Sequence, residues 1–177
     1  MMASMRNGCG DEYFILFNPV GAILKGFAHE SAMSPYANES GKPWPGVVDS
    51  VPNEFQDFLE EPAFSINDVT FCIWRNYGER RWQTGNIDYP EGDDPDGSDE
   101  LLFALDNNPS TYQEFAQDYY EKDIDFSAIE HVYRHKPLTD EIIQALNVDL
   151  LPQDLNEAIA EIGYPRGANK HSSVRRT

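Results

Sequence analysis

Strand-type runs fill the first half of this chain and helix-type patterns fill the second half, and this order restricts the folds open to it. The first half contains two pairs of apolar runs that are rich in β-branched and aromatic residues. In each pair, a turn-favouring sequence separates the two runs. The pairs are 12–17 with 20–27 and 69–75 with 79–84. Asn18-Pro19 separates the first pair, and Asn76-Tyr77-Gly78 supplies a glycine-containing turn in the second. The N-terminal half therefore predicts two β-hairpins, about four strands in all.

Helical signals follow in the C-terminal half. Apolar residues recur there at spacings of three and four, and several segments open at residues that cap helices. The predicted helix starts are Ser98, Asn108-Pro109, Asp125, Thr139 and Pro152. A shorter helix is predicted over 52–59. Because strands precede helices instead of alternating with them, the sequence predicts an α+β fold, with the antiparallel sheet packed against a C-terminal group of about four to five helices.

The length of 177 residues favours one domain, since the chain contains no interior linker long enough to divide it. We predict a single acidic α+β domain over residues 12–165. Residues 1–11, rich in Met, Ser, Asn and Gly, indicate a flexible leader. Residues 166–177 contain four basic residues and no acidic one, which indicates a basic disordered tail.

Acidic residues far outnumber basic ones: 31 Asp and Glu against 13 Lys and Arg give a formal net charge of −18. Nucleic-acid binding by direct phosphate contact, or attachment to an anionic membrane surface, requires a basic face, so both are disfavoured. A basic protein partner is favoured instead, because its charge complements that of the chain.

Targeting and redox signals are few. No apolar stretch approaches the ~18 residues of a membrane span, and Asp11 and Glu12 precede the first apolar run, which disfavours a signal peptide. The two cysteines, Cys9 and Cys72, are too few for a disulfide framework, and Cys72 lies in an apolar run. We therefore expect a soluble protein of the cytoplasm.

The densest group of acids lies between the predicted sheet and the predicted helices. We call residues 88–100 the acidic segment, and its candidate binding residues are Asp88, Tyr89, Glu91, Asp93, Asp94, Asp96 and Asp99. Trp82, Tyr89 and, in the loop 28–51, Trp44 are candidate aromatic anchors. We interpret the segment as a docking surface for a basic partner, with a solvated loop or an irregular calcium site as alternatives. An EF-hand does not fit, because Gly92 and Phe103 occupy two of its carboxylate positions.

The segment 28–51 lacks a clear period and is punctuated by Pro and Gly, which is typical of functional or mobile loops. At its start His29, Glu30 and Ser31 place a base, an acid and a nucleophile side by side, so they are candidate catalytic residues. In an extended backbone His29 and Ser31 would share one side and Glu30 would point away. The alternative interpretation is a polar loop with a histidine that serves packing or hydrogen bonding.

A candidate metal site is the pair His131 and His135, which are four residues apart on a predicted helix. The pair lacks the Glu directly after the first His that a zinc protease uses as general base, and has Glu130 before it instead. Two structural histidines near the negative end of a helix dipole are the alternative. Because no nucleotide, hydrolase or zinc motif occurs in the sequence, we predict no cofactor.

These observations favour a non-enzymatic interaction domain, of the immunity, inhibitor or adaptor kind, that binds a basic partner protein. The comparison with bacterial immunity proteins is one of composition alone. The alternative is a small enzyme or metal-binding protein whose site is formed by the segment 28–51 and the helical half. A third hypothesis is one subunit of a larger assembly, with acidic residues that serve solubility.

Overall fold

The structure is a computed structural model that describes residues 1–167. Five strands form one antiparallel sheet in which spatial order follows chain order. The strands are β1 Met2–Arg6, β2 Glu12–Asn18, β3 Gly21–Phe27, β4 Phe71–Asn76 and β5 Gln83–Thr84. Both predicted hairpins are present, as β2 with β3 and β4 with β5.

Six α-helices are described, five of them after the sheet. They are α1 Gln56–Leu59, α2 Ser98–Leu102, α3 Pro109–Tyr120, α4 Phe126–Tyr133, α5 Asp140–Leu146 and α6 Asn156–Glu161. Short 3-10 turns add Asn53–Phe55, Pro62–Phe64, Phe103–Leu105 and Pro152–Leu155. An antiparallel sheet followed by helices is the α+β arrangement, so the predicted fold class is confirmed.

The chain divides into two compact units, Met1–Phe103 and Ala104–Thr177, which we call unit 1 and unit 2. Unit 1 contains the sheet with α1 and α2, and unit 2 contains α3 to α6. The described part of unit 2 ends at Gly167.

One face of the sheet forms the floor of the unit 1 core. Alternation along the strands directs Phe14, Ile23 and Trp74 to this face, and all three are buried. The residues that pack over them come from the connections between strands: Met33, Val47, Val51, Phe55, Phe58, Leu59, Phe64 and Val69. Segment 28–51, which the sequence suggested as a functional or mobile loop, therefore contributes part of the core.

Two glycines permit segment 28–51 to approach the chain that follows β5 closely. A Cβ at Gly46 would lie 2.2 Å from the carbonyl oxygen of Asn86, and one at Gly85 would lie 1.8 Å from that of Gly46. Only residues without side chains allow two backbones to approach this closely. The contact brings residues 44–47 against the chain that leaves β5.

Unit 2 is a group of short helices, and three of its four described α-helices begin at a capping side chain. Asn108, Asp125 and Thr139 each accept a hydrogen bond from a backbone N–H in the first turn of α3, α4 and α5, as the sequence predicted. After α6 the chain returns to Leu138, which forms a parallel bridge with Arg166. The Arg166 guanidinium also pairs with the Asp140 carboxylate.

Three local predictions differ from the structure. The expected leader contains β1, because Met2–Arg6 pairs along its whole length with β2. Ser98 is not the cap of α2; Gly97 precedes that helix with a φ of 75°, and no side chain of the capping residue bonds to the helix. Arg166, the first residue of the expected tail, is held in the bridge, and 168–177 lie outside the described residues.

Among the described helices, none combines the length and the apolar character needed to cross a membrane.

Candidate functional site

The acidic segment is tied to the core of unit 1 by three hydrogen bonds to its backbone carbonyls. The Trp44 indole Nε1 donates to the carbonyl of Asp88 over 2.9 Å. The backbone N–H of Met33 donates to Pro95 over 3.0 Å, and the Thr70 hydroxyl donates to Asp96 over 2.7 Å. Since Met33 and Thr70 are fully buried, two of these bonds connect the segment to the interior of unit 1.

Two carboxylates of the segment form hydrogen bonds with the segment's own backbone. The Asp94 carboxylate accepts hydrogen bonds from the N–H groups of Asp99 and Glu100, over 3.1 and 3.0 Å. The Asp96 carboxylate accepts one from the N–H of Ser98 over 3.0 Å, and this aspartate is only 7% exposed. Both therefore stabilise the start of α2, where carboxylates interact favourably with the free N–H groups of a helix.

The remaining carboxylates of the segment face solvent. Within the described chain none of them forms an ion pair. These five residues are Asp88, Glu91, Asp93, Asp99 and Glu100. The structure thus separates the acids into two that build the segment and five that are available to a partner.

The three candidate aromatic anchors have different surroundings. Trp44 is half-buried, packs against the core and holds Asp88, whereas Tyr89 is 45% exposed. Trp82 is 42% exposed, and the Arg75 guanidinium lies 5.4 Å from its ring centroid. Tyr89 therefore lies in the acidic segment and Trp44 is bonded to that segment, while the described contact of Trp82 is to a cation on β4.

The candidate catalytic residues are arranged differently from the extended-chain expectation. The Nδ1 atom of His29 lies 2.7 Å from Oε1 of Glu30, so the acid that was expected to point away is the one that meets the base. Successive turns explain this, since the N–H of Ser31 donates to Ala28 and that of Ser34 donates to Ser31. The His29 ring also packs beside Tyr36, with centroids 5.6 Å apart.

Ser31 does not complete a catalytic arrangement with these two residues. Its hydroxyl oxygen is buried and forms no hydrogen bond with any described residue. The Tyr36 hydroxyl, which is near His29, donates instead to the Asp68 carboxylate over 2.9 Å, and this bond raises the pKa of Tyr36. The structure therefore joins His29 with Glu30 and leaves Ser31 apart.

The two candidate metal-ligating histidines do not share a helix face. Helix α4 ends at Tyr133, and His135 has a left-handed backbone with a φ of 52°. The Nε2 atom of His131 lies 2.9 Å from the carbonyl oxygen of Pro137, and the His135 ring stacks on Tyr164 with centroids 5.3 Å apart. Among the described residues, no group of three or more His, Cys, Asp or Glu side chains is placed to hold a metal ion.

Lys25 is a buried cation that the sequence analysis did not single out. It lies at the centre of β3 with 1% exposure, and its Nζ donates to the carbonyls of Phe64 and Ser65, the latter over 2.9 Å. Burial lowers the pKa of Lys25 to about 8. Opposite it on β4, burial raises the pKa of the Cys72 thiol to about 12, so that Cys72 stays protonated as a buried apolar residue. The sequence feature that could have indicated this buried cation is a single lysine inside an apolar strand run.

A second missed feature is the cluster of arginines at the end of the β4–β5 hairpin. Arg75, Arg80 and Arg81 are all exposed, and none forms an ion pair with a described residue. The sequence signal for this feature is the run Arg80-Arg81-Trp82, a local excess of positive charge within a chain of net charge −18.

Comparisons with models of protein families, with curated proteins and with solved structures returned no match for this chain, so its function has to be inferred from the geometry of these residues.

Proposed function

We propose that this chain is a non-enzymatic interaction domain that binds a basic protein partner through its acidic segment. The observation that carries the proposal is the division of labour within residues 88–100. Backbone hydrogen bonds and two capping carboxylates hold the segment, and five exposed carboxylates without described ion partners project from it.

The fixed backbone matters because ordering a loop on binding costs conformational entropy. Here the segment is bonded to buried Met33 and Thr70 before any partner arrives. A partner with Lys or Arg side chains at matching positions would form charge-assisted hydrogen bonds with carboxylates on a backbone that is already in place. Preorganisation of this kind raises affinity without adding contacts.

The exposed ring of Tyr89 supplies an apolar contact within this charged surface. Tyrosine is enriched among the residues that contribute most to binding energy, and this one is 45% exposed between Asp88 and Glu91. The surrounding carboxylates accelerate association and favour a positively charged partner, while the ring contributes to affinity at short range.

The test uses a labelled lysine-rich peptide of about 20 residues, long enough to reach several carboxylates at ~3.3 Å per residue. Its affinity is measured by fluorescence anisotropy at low and at physiological ionic strength. Binding should weaken steeply with salt, because the contacts are between exposed charges. A variant with the five exposed carboxylates replaced by amides should bind about tenfold more weakly, if each contributes about 0.3 kcal/mol.

A matched control distinguishes the segment from the overall charge. It replaces five exposed acids elsewhere with glutamine: Glu39, Glu54, Glu60, Glu114 and Glu157. Each variant removes five negative charges from the formal −18. If the two variants lose affinity equally, the peptide responds to net charge alone and the proposed site is wrong.

The contribution of the ring is tested separately with Tyr89→Ala, which leaves every carboxylate in place. We expect this variant to weaken peptide binding by about three- to tenfold at physiological salt, in the range of an aromatic interface contact. An unchanged affinity would remove the aromatic anchor from the proposal and leave a purely electrostatic surface.

A further inference from the structure

The tips of the two hairpins meet at one end of the sheet and enclose an open cleft of about 290 Å³. The N–H of Tyr77 donates to the carbonyl of Val20 over 2.6 Å, which joins the β4–β5 turn to the β2–β3 turn. Gly21 makes this approach possible, because a Cβ there would lie 2.1 Å from the carbonyl oxygen of Arg75. Phe17, Asn18 and Arg75 are among the residues that line the cleft.

The chain that lines this cleft at 75–79 continues into two further arginines, Arg80 and Arg81, although the protein as a whole is acidic. We call residues 75–82 the arginine hairpin; it carries three arginines and one acid, Glu79. The Glu79 carboxylate accepts a hydrogen bond from the N–H of Asn76 over 3.0 Å and thus closes the turn. The three arginines, by contrast, have no described carboxylate partner, so the hairpin presents uncompensated positive charge in a chain of net −18.

Exposed aromatic rings accompany these cations. Tyr77 is 87% exposed, and Phe17 and Trp82 are 44% and 42% exposed. Because the Arg75 guanidinium stacks over Trp82, it is oriented before any ligand arrives. Tyr, Trp and Arg are the residue types most enriched among the strongest contributors to protein interfaces.

We propose that the arginine hairpin and the adjoining cleft bind an acidic peptide segment of a partner protein, with carboxylates on Arg80 and Arg81 and one apolar side chain in the cleft. The sign of the occupant follows from the uncompensated arginines, whose planar donors match carboxylates. The cleft has room for such a side chain, since its volume of about 290 Å³ is close to the lower limit of the ~300–1,000 Å³ of small-molecule sites.

We expect this surface to respond to salt differently from the acidic segment. The total charge of −18 repels an acidic peptide at long range, whereas the hairpin attracts it at contact. At physiological ionic strength charges beyond about 8 Å are screened, so the long-range repulsion is reduced while contact pairs persist. Binding of an acidic peptide should therefore change little, about threefold or less, over a salt range that weakens the lysine-rich peptide steeply.

The experiment measures anisotropy of a labelled acidic peptide of about 12 residues, built from Glu-Glu-Leu repeats and long enough to span the hairpin. The test variant replaces Arg80 and Arg81 with serine. The control replaces Lys42 and Lys136 with serine as well. These are two exposed lysines without described ion partners, so each variant loses two positive charges. We expect saturable binding to the unmodified chain, about fivefold or greater loss in the test variant and less than about twofold loss in the control.

Two further arms separate the contributions. Tyr77→Ser should weaken the acidic peptide by about threefold or more, and replacing Leu with Ser in the peptide should have a similar effect. No saturable binding, or equal loss in the two charge variants, would overturn the proposal. Tighter binding of a single-stranded oligothymidine through the same arginines would also overturn it, in favour of a nucleic-acid site.

Discussion

The two compact units are held together in different ways. Seventeen of the buried apolar residues belong to unit 1, where twelve of them form one core cluster, and five belong to the described part of unit 2. The five are Ala116, Ala128, Ile129, Ile143 and Ile159. Two of them are alanines, which bury little apolar area. Unit 1 therefore depends on a hydrophobic core, and unit 2 depends more on helix caps and local hydrogen bonds.

The tryptophans make this difference measurable. All three, Trp44, Trp74 and Trp82, lie in unit 1, so tryptophan fluorescence reports on that unit alone. The four helices α3 to α6 lie in unit 2 and dominate far-ultraviolet circular dichroism at 222 nm. The two signals therefore follow the unfolding of different units in one urea titration.

The largest effect is expected from deleting a ring in the unit 1 core. Phe55 is fully buried, so Phe55→Ala should lower the free energy of unfolding by about 3–5 kcal/mol. The fluorescence transition should move to lower urea. As a control, Tyr77→Ala removes a ring that is 87% exposed and should change stability by less than about 0.5 kcal/mol. Similar shifts for both variants would contradict the assignment of Phe55 to the core.

The matching change in unit 2 is Ile143→Ala, because Ile143 is the buried residue of α5. We expect a loss of about 2 kcal/mol, at the low end for such a substitution, since only five apolar residues are buried in the described part of unit 2. The shift should occur in the circular dichroism transition and not in the fluorescence transition. If both signals shift together in both variants, the chain unfolds as one cooperative body and the contrast between the units fails.

Local signals were sufficient to predict most of the fold. The hairpins follow from apolar runs around turn residues, and the starts of α3, α4 and α5 follow from Asn108, Asp125 and Thr139. Strand β1 was missed because Met2–Arg6 contains no β-branched residue, so only its pairing with β2 makes it a strand. Pairing is a non-local property, and propensity within five residues does not encode it.

The site was predictable in position but not in detail. Composition located the acidic segment, yet it did not show that Asp94 and Asp96 cap α2, because that depends on the turn at Gly97, where φ is 75°. The pairing of His29 with Glu30 was likewise missed. It requires the chain to turn at Ser31, and sequence alternation assumes an extended strand.

Lys25 offers a test of polar interactions inside the unit 1 core. Lys25→Met preserves the shape of the side chain but leaves the carbonyls of Phe64 and Ser65 without their donor. We expect a loss of about 1–3 kcal/mol, measured by the fluorescence transition, because an acceptor that is buried without a partner is costly. A more stable Lys25→Met variant would show that desolvation of the ammonium outweighs its hydrogen bonds.

The same residue predicts a pH dependence of stability. Burial lowers the pKa of Lys25 from 10.5 to about 8, so above pH 8 the unfolded chain binds more protons at this position than the folded chain. The free energy of unfolding should therefore increase from pH 8 to about 9. Burial of Cys72 raises its pKa to about 12 and acts in the opposite direction above about pH 9. The rise should be absent in Lys25→Met. Equal slopes of unfolding free energy against pH in the two proteins would show that Lys25 is not the group responsible.

The smallest effect is expected at a helix cap of unit 2. The Thr139 hydroxyl oxygen accepts a hydrogen bond from the N–H of Ile142 over 3.3 Å, at the start of the seven-residue helix α5. Thr139→Ala should cost about 1 kcal/mol in the circular dichroism transition, and Thr139→Ser, which keeps the oxygen, should recover most of it. Ser98→Ala is the comparison in unit 1, where sequence alone also suggested a cap. The carboxylates of Asp94 and Asp96 accept the hydrogen bonds of the N–H groups at the start of α2, and the Ser98 hydroxyl caps none of them. This variant should therefore leave the fluorescence transition unchanged. Equal losses at the two positions would mean that sequence identified both caps correctly and that the capping geometry of α2 is wrong.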